Sequence, residues 1–234
     1  MQDAFNWMTI MELPGLRTSR PGAGLADAIY ETLSEAIIRG SLPAGYRLRE
    51  IALSKHFDVS TTPVRDALRR LDYEGLVEIN PRRGAVVTTV DRLQLRDLYE
   101  IRELLECHAL SRAGERESPD LLRLDELLLE SEPVAQSDDY ARFSKLDLGF
   151  HSHLTALGGN EELRVLAEQT HRRIQAVRMR NAVNLPGQQK TSHEEHVRII
   201  DFLRRGDTAG AVEQLRLHIG SVRDAVMRSD ESSG

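Results

Sequence analysis

Asp147 and His151 stand four residues apart in a stretch of helical periodicity, so their side chains leave the same face of one helix. His196 and His218 fall in two further helical stretches. One carboxylate and three imidazoles converging from three helices would form a transition-metal site. Nitrogen and oxygen ligands suit zinc, nickel, manganese or iron, with zinc the first choice. Spacing alone does not single these histidines out. The chain has eight, and His153 and His193 lie two or three positions from proposed ligands, so surface and capping roles stay open for each.

A second group of residues points to nucleic acid. Ser60, Thr61 and Thr62 offer hydroxyls that can cap a helix, and Pro63 suits a first turn, where its missing N–H costs nothing. Val64, Ala67, Leu68 and Leu71 then recur at three and four residues, the spacing of one buried stripe. Arg65 and Arg69 stack on another face, with Arg70 beside them. Such a helix is built to lie in a DNA groove, although charges on a solvated surface helix would read the same way in isolation.

The elements around this helix decide between the two. Upstream, Leu25, Ile29, Leu33, Ala36 and Ile37 form a helical stripe that stops near Gly40. A turn with Pro43 and Gly45 leads to a short helix over 49–57, with Ile51, Ala52, Leu53 and Phe57 available for the core and Asp58 at its end. Downstream, 76–79 and 85–90 are short β-prone runs, and Asn80-Pro81-Arg82-Arg83-Gly84 makes the tip between them. Three helices and a basic hairpin make a winged helix-turn-helix over residues 24–90. Residues 1–23, rich in Pro and Gly, read as a flexible tail on which Trp7 and Met8 could still dock.

From Asp91 onward helical periodicity takes over. Six helices are expected, over 91–115, from Pro119 to near Pro133, and over 138–157, 161–181, 192–205 and 208–228. The first presents Leu95, Leu98, Ile101, Leu105 and Cys107 to Ala109. Joined by short loops, they predict an all-α antiparallel bundle over 91–230, so the chain as a whole is mainly α.

Composition alone would not suggest DNA. The 234 residues carry 31 Lys and Arg against 37 Asp and Glu, a net charge of −6. The first 90 hold 11 basic and 11 acidic residues, leaving 20 and 26 in the remainder. Basic character is therefore local to the helix face and the hairpin tip, and an acidic remainder would help orient the molecule on DNA. A single cysteine, Cys107, excludes an intramolecular disulfide and suits a reducing cytoplasm. No apolar run approaches the ~20 residues that span a bilayer, and the N-terminal segment lacks the pattern of a signal peptide.

Leu48, Glu50, Val59, Ser60, Thr62 to Arg65, Ala67, Leu68, Leu71, Glu74 to Val77 and Gly84 together resemble the DNA-binding motif of the GntR family of bacterial transcription regulators. Two positions depart from the motif. Asp58 replaces a Gly, and Thr61 replaces an Arg that often reads a base edge, which puts the preferred operator in question. The segments around Asp147 to Leu154, Gly159-Asn160, His193 to His196 and Asp207 to His218 resemble the FCD ligand-binding domain, the partner of the winged helix in the FadR subfamily. That resemblance implies metal ligation by Asp147, His151, His196 and His218. It also implies that Arg102 binds an effector carboxylate, although with Glu106 at i+4 it could equally be a plain ion pair.

Two function classes follow. The first is a cytoplasmic, homodimeric repressor of a palindromic operator on double-stranded DNA. Ser60, Thr61, Thr62, Arg65, Arg69, Arg82, Arg83 and Gly84 would contact DNA, and a small organic acid bound at the metal would control affinity. In a variant of this class the metal itself is the signal. The second is a metal-dependent hydrolase or lyase using the Asp/His site. No further carboxylate or histidine stands out as its general base, and an enzyme gives no reason for a winged helix. The regulator, not an enzyme, is the expectation.

Overall fold

The computed structural model describes residues 13–16, 24–80, 84–115, 121–180 and 187–231. The chain divides into two compact units, one ending at Val90 and the other beginning at Asp91.

In the first unit, α1 (Leu25–Ile38), α2 (Glu50–Phe57) and α3 (Thr61–Tyr73) are followed by the hairpin β2 (Val77–Asn80) and β3 (Gly84–Val87). A two-residue strand, β1 (Arg47–Leu48), joins the outer edge of β3 and gives the sheet order β1-β3-β2, all antiparallel. Sequence patterning missed β1, because two residues make no alternation. The hairpin closes with Asn80 opposite Gly84, and Gly84 holds φ +73°, a left-handed conformation that glycine adopts without steric cost.

Helix α3 packs on α1, α2 and β2 through Val64, Ala67, Leu68 and Leu71, all buried. Ser60 occupies its N-cap, but the side chain makes no capping hydrogen bond. The N3 position that would normally donate to it is Pro63, which has no N–H. Ile51, expected in the core, is 65% exposed; α2 buries Ala52, Leu53, Ser54 and Phe57 instead. Leu25, on the first residue of α1, is likewise exposed. Asp58 ends α2 with φ 53°, the left-handed cap that the motif's glycine would take and that Asp tolerates better than most side chains. Within the expected tail, Leu13 to Leu16 are described and Leu13 is buried; the remainder, Trp7 and Met8 included, lies outside the described residues.

The second unit contains α4 (Arg92–Ala113), α5 (Leu122–Ala135), α6 (Tyr140–Ala156), α7 (Glu161–Arg180), α8 (Gln188–Arg204) and α9 (Thr208–Glu231). Asp91 starts α4 with a reciprocal capping box to Gln94, and Asp139 caps α6 by accepting from the Arg142 N–H. Helix α4 packs against α6, α7 and α9, while α8 packs against α5 and α9. Helix α5 does not stop near Pro133 but carries it to Ala135. The carbonyl four residues back belongs to Leu129, which is 71% exposed, so the hydrogen bond that proline cannot make falls on the solvated side. Helix α8 begins four residues earlier than expected, directly after Gly187 at φ +79°. Between α6 and α7, Gly158 lets the turn approach α4 closely; a Cβ there would lie 2.6 Å from the Ala109 carbonyl oxygen.

The buried face of α4 follows the expected apolar stripe only in part, at Leu95, Leu98, Cys107 and Ala109. Ile101 is half-exposed, while Leu95, Leu98, Tyr99, Arg102, Glu106, Ala109 and Leu110 face inward. Two charged side chains thus occupy positions that helix periodicity reserves for the core.

Candidate metal centre and nucleic-acid interface

Helices α6, α8 and α9 bring Asp147, His151, His196 and His218 together, with one potential ligand atom from each lying within 4.8 Å of all the others. All four residues are buried. The Nε2 atoms of His196 and His218 are 3.3 Å apart, and Asp147 Oδ1 is 3.7 Å from His196 Nε2 and 3.8 Å from His151 Nε2. Asp147 Oδ1 and His151 Nε2 have no hydrogen-bond partner. Buried polar atoms are seldom left so, and a metal ion would satisfy both.

Carboxylates behind the cluster fix how the rings face. His151 Nδ1 is 2.7 Å from Glu106 Oε2, and His218 Nδ1 is 2.7 Å from Glu195 Oε2. An Nδ1–H donated to a carboxylate leaves the Nε2 lone pair directed inward, the arrangement metal-binding histidines use. His196 is instead held by stacking on Phe150, with ring centroids 4.1 Å apart. On the far side of Asp147, Arg178 Nη1 donates to Oδ2 at 2.9 Å, and His171 Nε2 lies 3.4 Å from the same oxygen.

Electrostatics keep these groups in ligating form. Burial alone would raise the Asp147 carboxyl, but the Arg178 guanidinium and the surrounding imidazoles outweigh it and hold Asp147 well below the carboxylate range. Burial, reinforced by Arg102, pushes His151 well below its ordinary value and His218 down to about 3. His196 is also lowered well below normal, by burial and then by His218. The cluster is therefore one carboxylate and three neutral imidazoles, a donor set that suits a borderline divalent ion.

His153 and His193, adjacent to the cluster in sequence, take no part in it. His153 Nδ1 pairs with the Gly149 carbonyl on the surface, and His193 Nδ1 with Ser131 Oγ. Arg102 is fully buried, and its Nε donates to Glu106 at 2.8 Å while Nη1 and Nη2 have no partner. The ion pair is therefore present, and the two Nη atoms stand beside it unpaired. His171, Arg178, Glu195 and Tyr99 went unread in the sequence. The available signal was that His171 and Arg178 fall in step with the buried Ala167 and Ile174 on α7, where polar residues need a reason to be.

On the winged-helix unit, Ser60, Thr62, Arg65, Arg69 and Gly84 are exposed and Thr61 is half-buried. Arg65 is braced by the α2 residue Glu50, which accepts from Nη2 at 2.8 Å and from Nε at 3.3 Å. Arg70 serves its own domain: it stacks on Tyr30 at 3.7 Å and bonds Asp27. Arg82 and Arg83 lie outside the described residues.

Comparison with known proteins agrees with both units. Residues 25–87 match the bacterial regulatory proteins of the gntR family, and residues 97–221 match the FCD domain. The Nta operon transcriptional regulator of Aminobacter aminovorans is 32% identical over 170 residues, covering 71% of this chain and 79% of that protein. The HTH-type transcriptional regulator YdhC of Bacillus subtilis is 27% identical over 191 residues, covering 81% and 85%. Among solved structures, McbR/YncC of E. coli shares the fold with a TM-score of 0.78 at 22% identity, covering 88% of this chain and 98% of that one. Family and relatives are transcription regulators, which sets the hydrolase or lyase reading aside. Within the described residues no helix is long and apolar enough to cross a membrane. The chain belongs to the GntR family of bacterial transcription regulators, in its FadR-type branch with a C-terminal FCD domain.

Proposed function

We propose that this regulator is a homodimeric repressor whose operator affinity is set by a small organic acid held at a divalent metal centre, zinc in the first instance. Asp147, His151, His196 and His218 are its ligands. The observation that carries the reading is the convergence of four buried ligand atoms, two of them without any protein partner. A single carboxylate with three neutral imidazoles leaves a divalent ion with net positive charge, so an anionic oxygen is an apt further ligand. Arg102, with two free nitrogens beside the cluster, supports the same chemistry.

DNA contact is assigned to Ser60, Thr61, Thr62 and Arg65 at the start of α3, to Arg69 one turn further along the same face, and to Arg82, Arg83 and Gly84 of the hairpin. The first group sits at a helix N-terminus, where backbone N–H groups and short hydroxyls meet phosphates and long side chains reach base edges. A dimer reads two half-sites of a palindrome only when its recognition helices match their separation. Ligand-driven tightening of the helices around the ion is a means of altering that match.

The test is a mobility-shift titration on DNA flanking the protein's own gene, with metal-loaded and chelated protein, against a panel of hydroxy-, keto- and sugar acids. Release by at least one acid in the loaded form alone is expected. Retarded DNA that no acid affects in either form would overturn the proposed control.

A further inference from the structure

Buried polar atoms without partners gather around the metal cluster beyond the ligands themselves. Arg102 and Arg178 are each anchored by one nitrogen, Arg102 on Glu106 and Arg178 on Asp147. Nη1 and Nη2 of Arg102 and Nε of Arg178 are buried without a hydrogen-bond partner, as are the hydroxyls of Tyr99 and Tyr140. These groups are neighbours. Tyr99 lies one helical turn before Arg102 on α4, and both arginines act on its hydroxyl, which burial pushes up to about 12. The Arg178 Cζ is 6.0 Å from the centre of the Tyr140 ring. Two arginines and two phenols that stay protonated form a cradle of donors, and donors buried unpaired are costly unless something accepts from them.

A monocarboxylate on the ion would leave these arginine nitrogens and phenol hydroxyls unmet; a second carboxylate would accept from them.

We propose that the site takes a small dicarboxylate. One carboxylate completes the coordination of the ion, and the other is seated by Arg102, Arg178, Tyr99 and Tyr140. This rests on the metal-anchored reading given above and adds to it the class of acid and the residues that select it.

Calorimetry on the metal-loaded full-length protein tests it, with succinate and L-malate set against butyrate and lactate. The wild type is compared with Tyr99→Phe, Tyr140→Phe and the double variant, metal content and melting being read in parallel. Because neither hydroxyl bonds to the protein, its removal should leave fold and metal content unchanged. Diacids are expected to bind at least about tenfold tighter than the monoacids, and the double variant to lose about tenfold or more for diacids but nothing for monoacids, as for a lost hydrogen bond to a charged group. Should monoacids bind as tightly as diacids in a metal-dependent way, the dicarboxylate assignment falls and the metal-anchored reading stands. Diacid binding that survives chelation removes the metal anchor and, with it, the proposal as stated. No binding of any acid to loaded protein overturns both.

Discussion

Helix α3 buries Val64, Ala67, Leu68 and Leu71 and leaves Arg65 and Arg69 in solvent, whereas α4 and α6 bury Arg102, Glu106, Asp147 and His151 almost completely. The winged-helix unit thus packs this helix through apolar side chains and leaves Arg65 and Arg69 hydrated at its surface. The helical unit does the reverse. It desolvates charges at a cost that internal pairing only partly offsets, since atoms of Arg102, Asp147, His151 and Arg178 remain unpartnered. Free energy missing from such a core is available to whatever completes it. The contrast separates a unit that carries these charges in water from one that holds them in its interior.

Arg65→Ala should show the largest effect, and on DNA binding alone. Loss of a groove contact costs about 1–3 kcal/mol per half-site and twice that in a symmetric dimer. The ion pair to Glu50 is exposed, with the Arg65 side chain 49% accessible, so its removal should leave the melting temperature essentially unchanged. Operator titration and thermal melting on the same preparation check both halves. A folded variant that binds operator as tightly as the wild type would remove α3 from the interface.

Chelation should act on the other unit. An ion present at 100 times its dissociation constant stabilises the folded state by about 2.7 kcal/mol, so stripping it should lower the melting temperature of the helical unit by roughly 5–10 °C. The winged-helix transition should not move. Calorimetric scans of loaded and chelated protein would show a single shifted transition; equal shifts in both, or in neither, would erase the contrast.

Gly158→Ala sharpens the comparison within the helical unit. The added methyl would press on the Ala109 carbonyl and should destabilise this unit by about 1–3 kcal/mol, as overpacking does. Denaturant titration would detect it, with operator contacts on the other unit intact. The smallest effect is expected of Asp58→Gly. Relief of a left-handed non-glycine residue, set against the extra entropy of glycine in the unfolded chain, should stabilise the winged helix by roughly 0.5 kcal/mol. Destabilisation instead would mean that the Asp58 side chain supports the α2–α3 turn.

The two units also differ in how far their sequences disclose them. The stripe of α3 and the β2–β3 hairpin depend on neighbours three, four or a few residues away, so periodicity reveals them. Even there, Ile51 shows that an apolar residue in an eight-residue helix need not point inward, and β1 exists only through its register with β3. In the helical unit, Asp147 and His151 announce themselves by i,i+4 spacing, but His196 and His218 needed the family resemblance to be chosen over His153 and His193. Arg178, Glu195 and His171 stayed hidden because their partners belong to other helices; Arg178 reaches Asp147 across 31 residues of chain. Pairings at that range leave no local pattern. The same distance explains why Ile101 looked like core and Arg102 did not: only the packing of α4 against its neighbours decides which face turns in.

The most direct test of the metal centre is elemental analysis combined with native mass spectrometry of the purified wild type and of His196→Ala and His218→Ala. One divalent ion per wild-type chain is expected, with metal at background in either folded variant, because each substitution removes one of the four converging donor atoms. Stoichiometric metal in both variants, or none in wild type prepared with metal present, would contradict the assignment of Asp147, His151, His196 and His218.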